Sequence, residues 1–405
     1  KKSDQYDYVM GFNNSTTSPP PVMTNENLNQ YFSLNNFGVQ NDGINFYYVE
    51  AGSPANHTIG NSSIAAGYVM TDYSITRAIR VAGGLRVEQA NIFTDSYKFD
   101  SLHYAANDPR RTYSTQFPLL NPGKLNTFNY LPSANVVYKL NKDEEAPMNL
   151  RANFSQTVAR PSIRELSDIA VYDYAQRNFV FGNSDLKPVQ IKNYDLRYEW
   201  YFKNRDNFSI GGFYKDFKNH IELVNAGALT WQNTDRSYVA GVEIEGKKNI
   251  FKNLDLIANA TFANSSTSYT RQRISVSGQG TKEYTPLDHV SHPMFGQAPY
   301  IVNFILAYSL EKIGLNVTLS YNVQGRRLAI SSSNPSIPDV YEMPRNMFDF
   351  KVMKKLGKHF MASFTVRDIL NTAIRRAYIY SDGTQIDYDK YRYGTNYVIS
   401  LSYKL

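Results

Sequence analysis

The sequence predicts an all-β chain, a transmembrane antiparallel up-and-down β-barrel, on three observations. Segments of about ten residues alternate apolar and polar side chains, the connections between them alternate short and long, and no apolar run reaches eighteen residues. Leu315–Gln324, reading LNVTLSYNVQ, shows the first most clearly. Leu315, Val317, Leu319, Tyr321 and Val323 fall on one face of a strand, and Asn316, Thr318, Ser320, Asn322 and Gln324 fall on the other, because successive side chains point to opposite sides. At ~3.3 Å per residue, ten tilted residues cross about 25 Å, the height of an outer-membrane hydrocarbon band.

Taken in order, the predicted strands cover residues 5–10, 64–73, 79–93, 134–140, 148–158, 194–201, 208–217, 239–247, 254–262, 301–310, 315–324, 347–353, 360–367 and 396–405. That is about fourteen, an even number, as bacterial barrels require. The alternation is clean where Leu150, Ala152 and Phe154 oppose Arg151, Asn153 and Ser155, and again where Leu196, Tyr198 and Trp200 oppose Asp195, Arg197 and Glu199. It is less clean in 208–217, where Phe213 and Phe217 share the polar side. Short connections lie at 74–78, 141–147, 203–207, 249–253, 311–314 and 354–359; long ones lie at 11–63, 95–126, 160–191, 219–237, 267–298, 326–345 and 375–391. The two kinds take turns. A membrane barrel has short periplasmic turns and long extracellular loops, whereas a soluble sandwich or solenoid gives no reason for such parity.

Composition removes other classes. With no Cys among 405 residues, neither a disulfide framework nor a thiolate metal site is possible. The net charge of +7 is modest and no basic helix or RNP-type motif occurs, which argues against nucleic acid as a partner. Aromatic residues make up 14%, with 32 Tyr and 23 Phe against 2 Trp, and Tyr suits a boundary between hydrocarbon and water. The Asp288-His289-Val290-Ser291-His292 stretch has metal-ligand chemistry but no third strong partner in sequence, so no metal or other cofactor is expected. No GxSxG motif or triad spacing occurs, and no enzyme activity is expected. No signal peptide opens the chain, and residues 1–405 read as one domain, part of a longer protein.

Several phrases resemble the C-terminal barrel of TonB-dependent outer-membrane receptors, particularly those of Bacteroidetes-type bacteria. They are AAGYVMTD (65–72), GGLRVE (83–88), YLPSANVVYKLN (130–141), NLRANFSQTVARPSIREL (149–166), FGNSDLKPVQIKNYDLRYEWY (181–201) and RDILNT (367–372). The resemblance implies the C-terminal part of a barrel of about twenty-two strands, with the plug absent from this chain. It implies a receptor in the outer membrane of a Gram-negative bacterium. Such a receptor binds a scarce ligand (siderophore, glycan, peptide or vitamin) and imports it with TonB-type energy coupling. Its partners would be outer-membrane lipid and lipopolysaccharide, its own N-terminal plug and strands, a TonB-like energiser, and a surface lipoprotein or larger outer-membrane complex. Two alternatives remain open within the barrel reading: a structural or docking subunit of an outer-membrane complex, and a passive fourteen-stranded channel.

Three sets of residues are candidates for function. The first follows the strand at 148–158: Arg160, Arg164, Glu165, Tyr172, Tyr174, Arg177 and Phe179, whose aromatic and guanidinium groups suit stacking and hydrogen bonding at a barrel mouth. Ser162 and Glu165 have capping-box spacing, so a helical turn is expected there; the alternative role for this loop is packing on itself or on a plug. The second is the polar side of the strands, Arg80, Arg86, Glu88, Arg151, Asp195, Arg197, Glu199, Glu243 and Glu245, expected to face the lumen and to pair across strands. The third is the pairs Arg110-Arg111, Arg326-Arg327 and Arg375-Arg376 in long loops, whose guanidinium forks suit lipopolysaccharide phosphates or another anion, with ordinary solvated charge as the alternative.

Overall fold

The computed structural model describes residues 6–12, 44–50, 58–96, 122–168, 170–173, 178–226, 228–276, 282–334 and 336–404. Most of them are strand. A single antiparallel wall runs through β3 (Thr58–Ser74), β4 (Ile79–Ser96), β5 (Gly123–Lys139), β6 (Met148–Ala159), β9 (Val189–Tyr201), β10 (Asn207–Lys218), β13 (Arg236–Phe251), β14 (Leu254–Val276), β16 (Tyr300–Leu310), β17 (Leu315–Gln324), β20 (Arg345–Leu356), β21 (Phe360–Arg367) and β24 (Asn396–Tyr403), each hydrogen-bonded to the next in that order. Every predicted short connection joins two neighbouring wall strands, the longest being the eight residues between β5 and β6. Left-handed residues mark four of them: Asn253 (φ 70), Gly314 (φ 63) and Gly357 (φ 71), in a conformation that Asn and Gly adopt readily, and Arg205 (φ 68), which does not share that ease.

The ladder register sorts the wall into two faces. Phe154 pairs with Tyr194 and Tyr194 with Tyr214 on one face, and Tyr238 on β13 continues the row, with ring centroids 5.1, 6.2 and 6.1 Å apart. A second aromatic row on the same face joins Phe304, Tyr321 and Phe348. Rings in lateral rows on an apolar outer face form the girdle of a barrel. The other face is polar and is the inner wall.

Three features depart from the expected strand list. The first predicted strand, 5–10, does not join the wall. It forms β1 (Tyr6–Phe12), which pairs antiparallel with β2 (Ile44–Glu50) in a separate ladder. A closed fourteen-stranded pore would need β24 against β1, whereas β24 pairs with β21. Alternation marks a strand but not its partner, which is why this position was not legible. The fourteenth member of the sheet is instead β15 (Lys282–His292), inside the predicted long loop 267–298. It pairs with the upper half of β14, where Asn264, Ser265, Ser266 and Thr267 break the apolar alternation while the backbone stays extended.

The described parts of the predicted loops 160–191, 219–237, 326–345 and 375–391 also carry strands. β7 (Ala170–Asp173), β8 (Asn178–Phe181), β11 (Ile221–Asn225), β12 (Leu229–Asn233), β18 (Arg327–Ser332), β19 (Val340–Glu342), β22 (Ile374–Ile379) and β23 (Gln385–Tyr391) assemble into an eight-stranded sheet at the long-loop end, ordered β23-β22-β19-β18-β11-β12-β8-β7. Buried apolar clusters lie here and where this sheet meets the wall. Val180, Leu223, Leu229, Ile330 and Val340 form one buried cluster. Ile92 and Leu125 of the wall form a second with Leu166 and Leu186, and Trp231 packs on both.

Candidate ligand mouth and inner wall

The inner wall is built from strand parity. Across β6, β9, β10 and β13 the register aligns Asn149, Glu199, Ser209 and Glu245 in one row, and Arg151, Arg197, Gly211 and Glu243 in the next. All nine residues expected to face the lumen lie on this face, and most are paired across strands. Arg151 Nε lies 2.7 Å from Glu199 Oε2, Arg197 Nη2 lies 2.7 Å from Glu245 Oε2, and Asn153 Nδ2 donates to Asp195 at 3.0 Å. Arg80 pairs with Asp72. Glu88 takes Arg86 on one oxygen at 2.6 Å and Arg160 on the other at 2.5 Å. Among the described residues, Glu243 makes no ion pair or hydrogen bond. The row of Glu245 continues in neutral form, with Asn322 donating to Asn303 and Asn303 to Asn259 at 2.5 and 2.6 Å. Sequence reasoning missed this amide ladder; its signal was an Asn at matching parity on three neighbouring strands.

The mouth begins at Arg160. Its hold on Glu88 ties the start of the loop to the wall. The next residues form α1 (Ile163–Leu166), a single turn opened by the reciprocal box that the spacing predicted. Glu165 N–H donates to Ser162 Oγ at 3.2 Å and Ser162 N–H donates to Glu165 Oε2 at 2.8 Å. Leu166 is fully buried between the wall and the capping sheet. Gly182 runs so close beneath this turn that a Cβ there would lie 1.8 Å from Ser167 O, so only glycine fits. Arg164 pairs with Asp173 at 3.3 Å. Tyr172 and Phe179 stack edge to face across β7 and β8 at 5.4 Å and remain exposed. Tyr174 and Arg177 lie outside the described residues, as do Arg110 and Arg111.

A buried polar cluster in the capping sheet was not foreseen. Glu222 on β11 is 0% exposed. One of its oxygens accepts the Phe295 N–H at 3.3 Å; His220 Nδ1 and His292 Nε2 each stand 3.4 Å from the carboxylate. His292 Nδ1 faces the Pro293 carbonyl at 2.8 Å, and a carbonyl only accepts, so that nitrogen carries the hydrogen. Ser331 reaches His292 Nε2 at 3.2 Å and Tyr269 OH at 2.7 Å. The cluster ties β11, β15 and β18 together over a large sequence distance, which no local pattern reveals. Among the described residues no group of three or more His, Cys, Asp or Glu is arranged to hold a metal ion.

With this geometry in view, comparison with known families is informative. The family described as TonB dependent receptor-like, beta-barrel, matches residues 2–369. The chain belongs to that family. Solved structures share its fold. The siderophore receptor PiuA from Acinetobacter baumannii aligns over 89% of this chain and 45% of its own at 11% identity, with a TM-score of 0.55. The ferric-catecholate import receptor Fiu from K12 E. coli aligns over 86% of this chain and 45% of its own at 15% identity and 0.52. The ferric yersiniabactin uptake receptor FyuA from Yersinia pestis aligns over 85% and 45% at 14% identity and 0.51. This chain therefore spans about half the length of these receptors. No curated protein sequence matches.

Within this TonB-dependent receptor-like barrel, the arginine pairs in the long loops are largely engaged. Arg327 Nη2 contacts both oxygens of Glu342 at 2.9 and 3.0 Å. Arg375 pairs with Asp387 at 2.6 Å. Arg376 is buried, doubly bonded to Asp389 and placed 5.1 Å from the Tyr388 ring centre. Arg326 stands 5.0 Å over the Tyr341 ring. Burial pushes the Tyr341 phenol up to about 12, with Asp339 adding to the shift and Arg326 opposing it. These cations bind the capping sheet together, and of the four Arg326 alone has no carboxylate partner among the described residues.

Proposed function

We propose that this chain is the C-terminal part of a larger barrel of about twenty-two strands around an N-terminal plug, in the outer membrane of a Gram-negative bacterium. The whole receptor binds a scarce ligand at its long, extracellular loops and imports it with energy from a TonB-type partner. The observation that carries this reading is the pair of bare edges. Among the described residues β3 pairs only with β4 and β24 only with β21, and β24 is exposed on both faces, with Ile399 82% exposed. In hydrocarbon each unpaired backbone group costs several kcal/mol, so such a wall calls for further strands to close it. The matched receptors, about twice as long, are consistent with that.

The exposed Tyr172 and Phe179, with Arg164 beside them, form the ligand-facing rim, and Arg326 offers a cation to an anionic ligand or to lipopolysaccharide phosphate. Among siderophore, glycan, peptide and vitamin, the siderophore class has the support of the siderophore receptors named above. A Bacteroidetes-type origin rests on the sequence phrases alone. Two measurements on the full-length gene product test the proposal. Cysteines replacing Arg327 and Lys355 should differ in intact cells, only the first reacting with an impermeant maleimide; equal labelling would overturn the topology. In planar bilayers the plugged receptor should show little steady conductance; a large ohmic conductance would favour a passive channel instead.

A further inference from the structure

On the outer face of the wall, close to the short-turn end, lies a trough of about 640 Å³. Its origin is a run of side-chain sizes along one ladder row: Trp200, Phe208, Gly246, Ala258 and Phe304 are successive partners on β9, β10, β13, β14 and β16. Phe208, 38% exposed, lines it with Trp200 and Leu256, while Gly246 and Ala258 form the floor. A Cβ added at Gly246 would meet only the Asn207 carbonyl, at 3.5 Å, so no neighbouring side chain fills the gap. Ala260 extends the low floor towards the middle of the wall.

The lower end of the trough is cationic. Lys248 lies on the same face, 68% exposed, with Nζ 2.7 Å from Asp206. Around this end stand Lys203 and Arg205 in the turn between β9 and β10, Lys247 and Lys248 at the end of β13, and Lys252 in the turn after it; Lys203 is held by Asp143 and Glu145, and Lys247 by Asp255. Among the described residues Arg205 and Lys252 make no ion pair. Trp200 and Phe202 stack at 4.2 Å beside this end.

We propose that the trough holds one glycerophospholipid of the periplasmic leaflet, an acyl chain lying over Gly246 and Ala258 and the phosphate on Lys248. This rests on the reading above, which puts the apolar face in lipid and the short turns at the periplasm. Hydrophobicity alone does not select the occupant, because the surroundings are equally apolar. Shape and charge do. An unfilled trough forfeits dispersion contacts along its floor, and a flexible chain restores them where a rigid neighbouring protein surface would need a matching ridge. A compact ammonium at the mouth suits a phosphate. Lipopolysaccharide is the wrong source, since it occupies the leaflet at the opposite end.

The test uses the full-length receptor extracted in a mild detergent, washed, and analysed by native mass spectrometry and lipid extraction. The expected result is one phospholipid retained per chain. Gly246→Leu, which fills the floor, should lower retention about tenfold, and Lys248→Gln several-fold, with loss of preference for anionic headgroups. Ala362→Leu, a small outward residue elsewhere on the wall, should change nothing. Retention of no lipid by the native receptor, or full retention by Gly246→Leu, overturns the proposal. A dimer lost on Gly246→Leu would assign the trough to a second copy and also overturn it. Liposome insertion and heat-modifiable migration are measured on the same samples. Failure of those would reject the membrane reading itself, whereas a receptor that inserts but retains no lipid rejects the trough alone.

Discussion

Leu319 in the wall is 37% exposed and Ile399 is 82% exposed, whereas Leu223 and Leu229 in the capping sheet are exposed by 0 and 2%. Both pairs belong to hydrogen-bonded strands. The wall keeps its apolar side chains outside because its solvent there is hydrocarbon, and it turns its charges inward, where they pair. The capping sheet encloses its apolar side chains instead, with Val180, Ile330 and Val340 buried, Arg327 and Arg375 half-buried, and the charges it does enclose, Glu222 and Arg376, held by hydrogen bonds. The backbone ladder is common to both, so what differs is the medium each side chain is matched to.

Substitutions sharpen or break this contrast. The largest effect is expected from Leu223→Ala, which should cost the capping sheet about 2–5 kcal/mol by leaving a cavity. Amide exchange should quicken in β11, β12 and β18 while the wall stays protected; equal loosening of the wall would mean that the two regions do not stand apart. Next comes Leu319→Arg, expected to destabilise the receptor in liposomes by ~2–4 kcal/mol if it lies near the bilayer midplane, with Ser320→Arg close to neutral. Equal costs in urea unfolding would erase the distinction between the faces. Ser162→Ala should cost about 1 kcal/mol, felt as faster proteolysis of the loop around α1 and not in the wall.

The smallest effect concerns the turn between β9 and β10. Hydrogen bonds from Lys248 Nζ and from the Asn249 N–H hold the buried Asp206 carboxyl below the usual carboxylate range, against the opposing effect of burial. The folded state therefore favours the ionised form. The stability this adds is present above the ordinary carboxylate value of ~4 and is lost as pH falls through the lower folded value. Urea midpoints of the native receptor should drop across that acid range, while Asp206→Asn should show a shallower fall. Identical pH profiles would remove Asp206 from the account.

The wall was legible because a strand in a membrane has two unlike faces, and a period of two survives in the sequence. Leu315–Gln324 and its neighbours were placed almost to the residue, and the nine charged residues singled out together share one face of the wall. The turns were legible for the same reason, as interruptions of that period. The capping sheet was not. Segments such as NFVF in β8 and IELVN in β11 are too short to show a period, and their partners lie in other loops. The cluster around Glu222 was hidden because His292 is seventy residues away along the chain. The first strand was recognised as a strand but assigned to the wrong ladder, since pairing depends on a partner that alternation does not name.

The parallel contact between β11 and β18 pairs Val224 with Ser331, and Ser333 Oγ donates to Asn225 O across 108 residues of sequence. Wall hairpins such as β16 with β17 close over a four-residue turn. Closing a long loop costs more chain entropy than closing a short one, and contacts between distant residues form late. The capping sheet thus records that two separate hairpins have already reached their final depth and register.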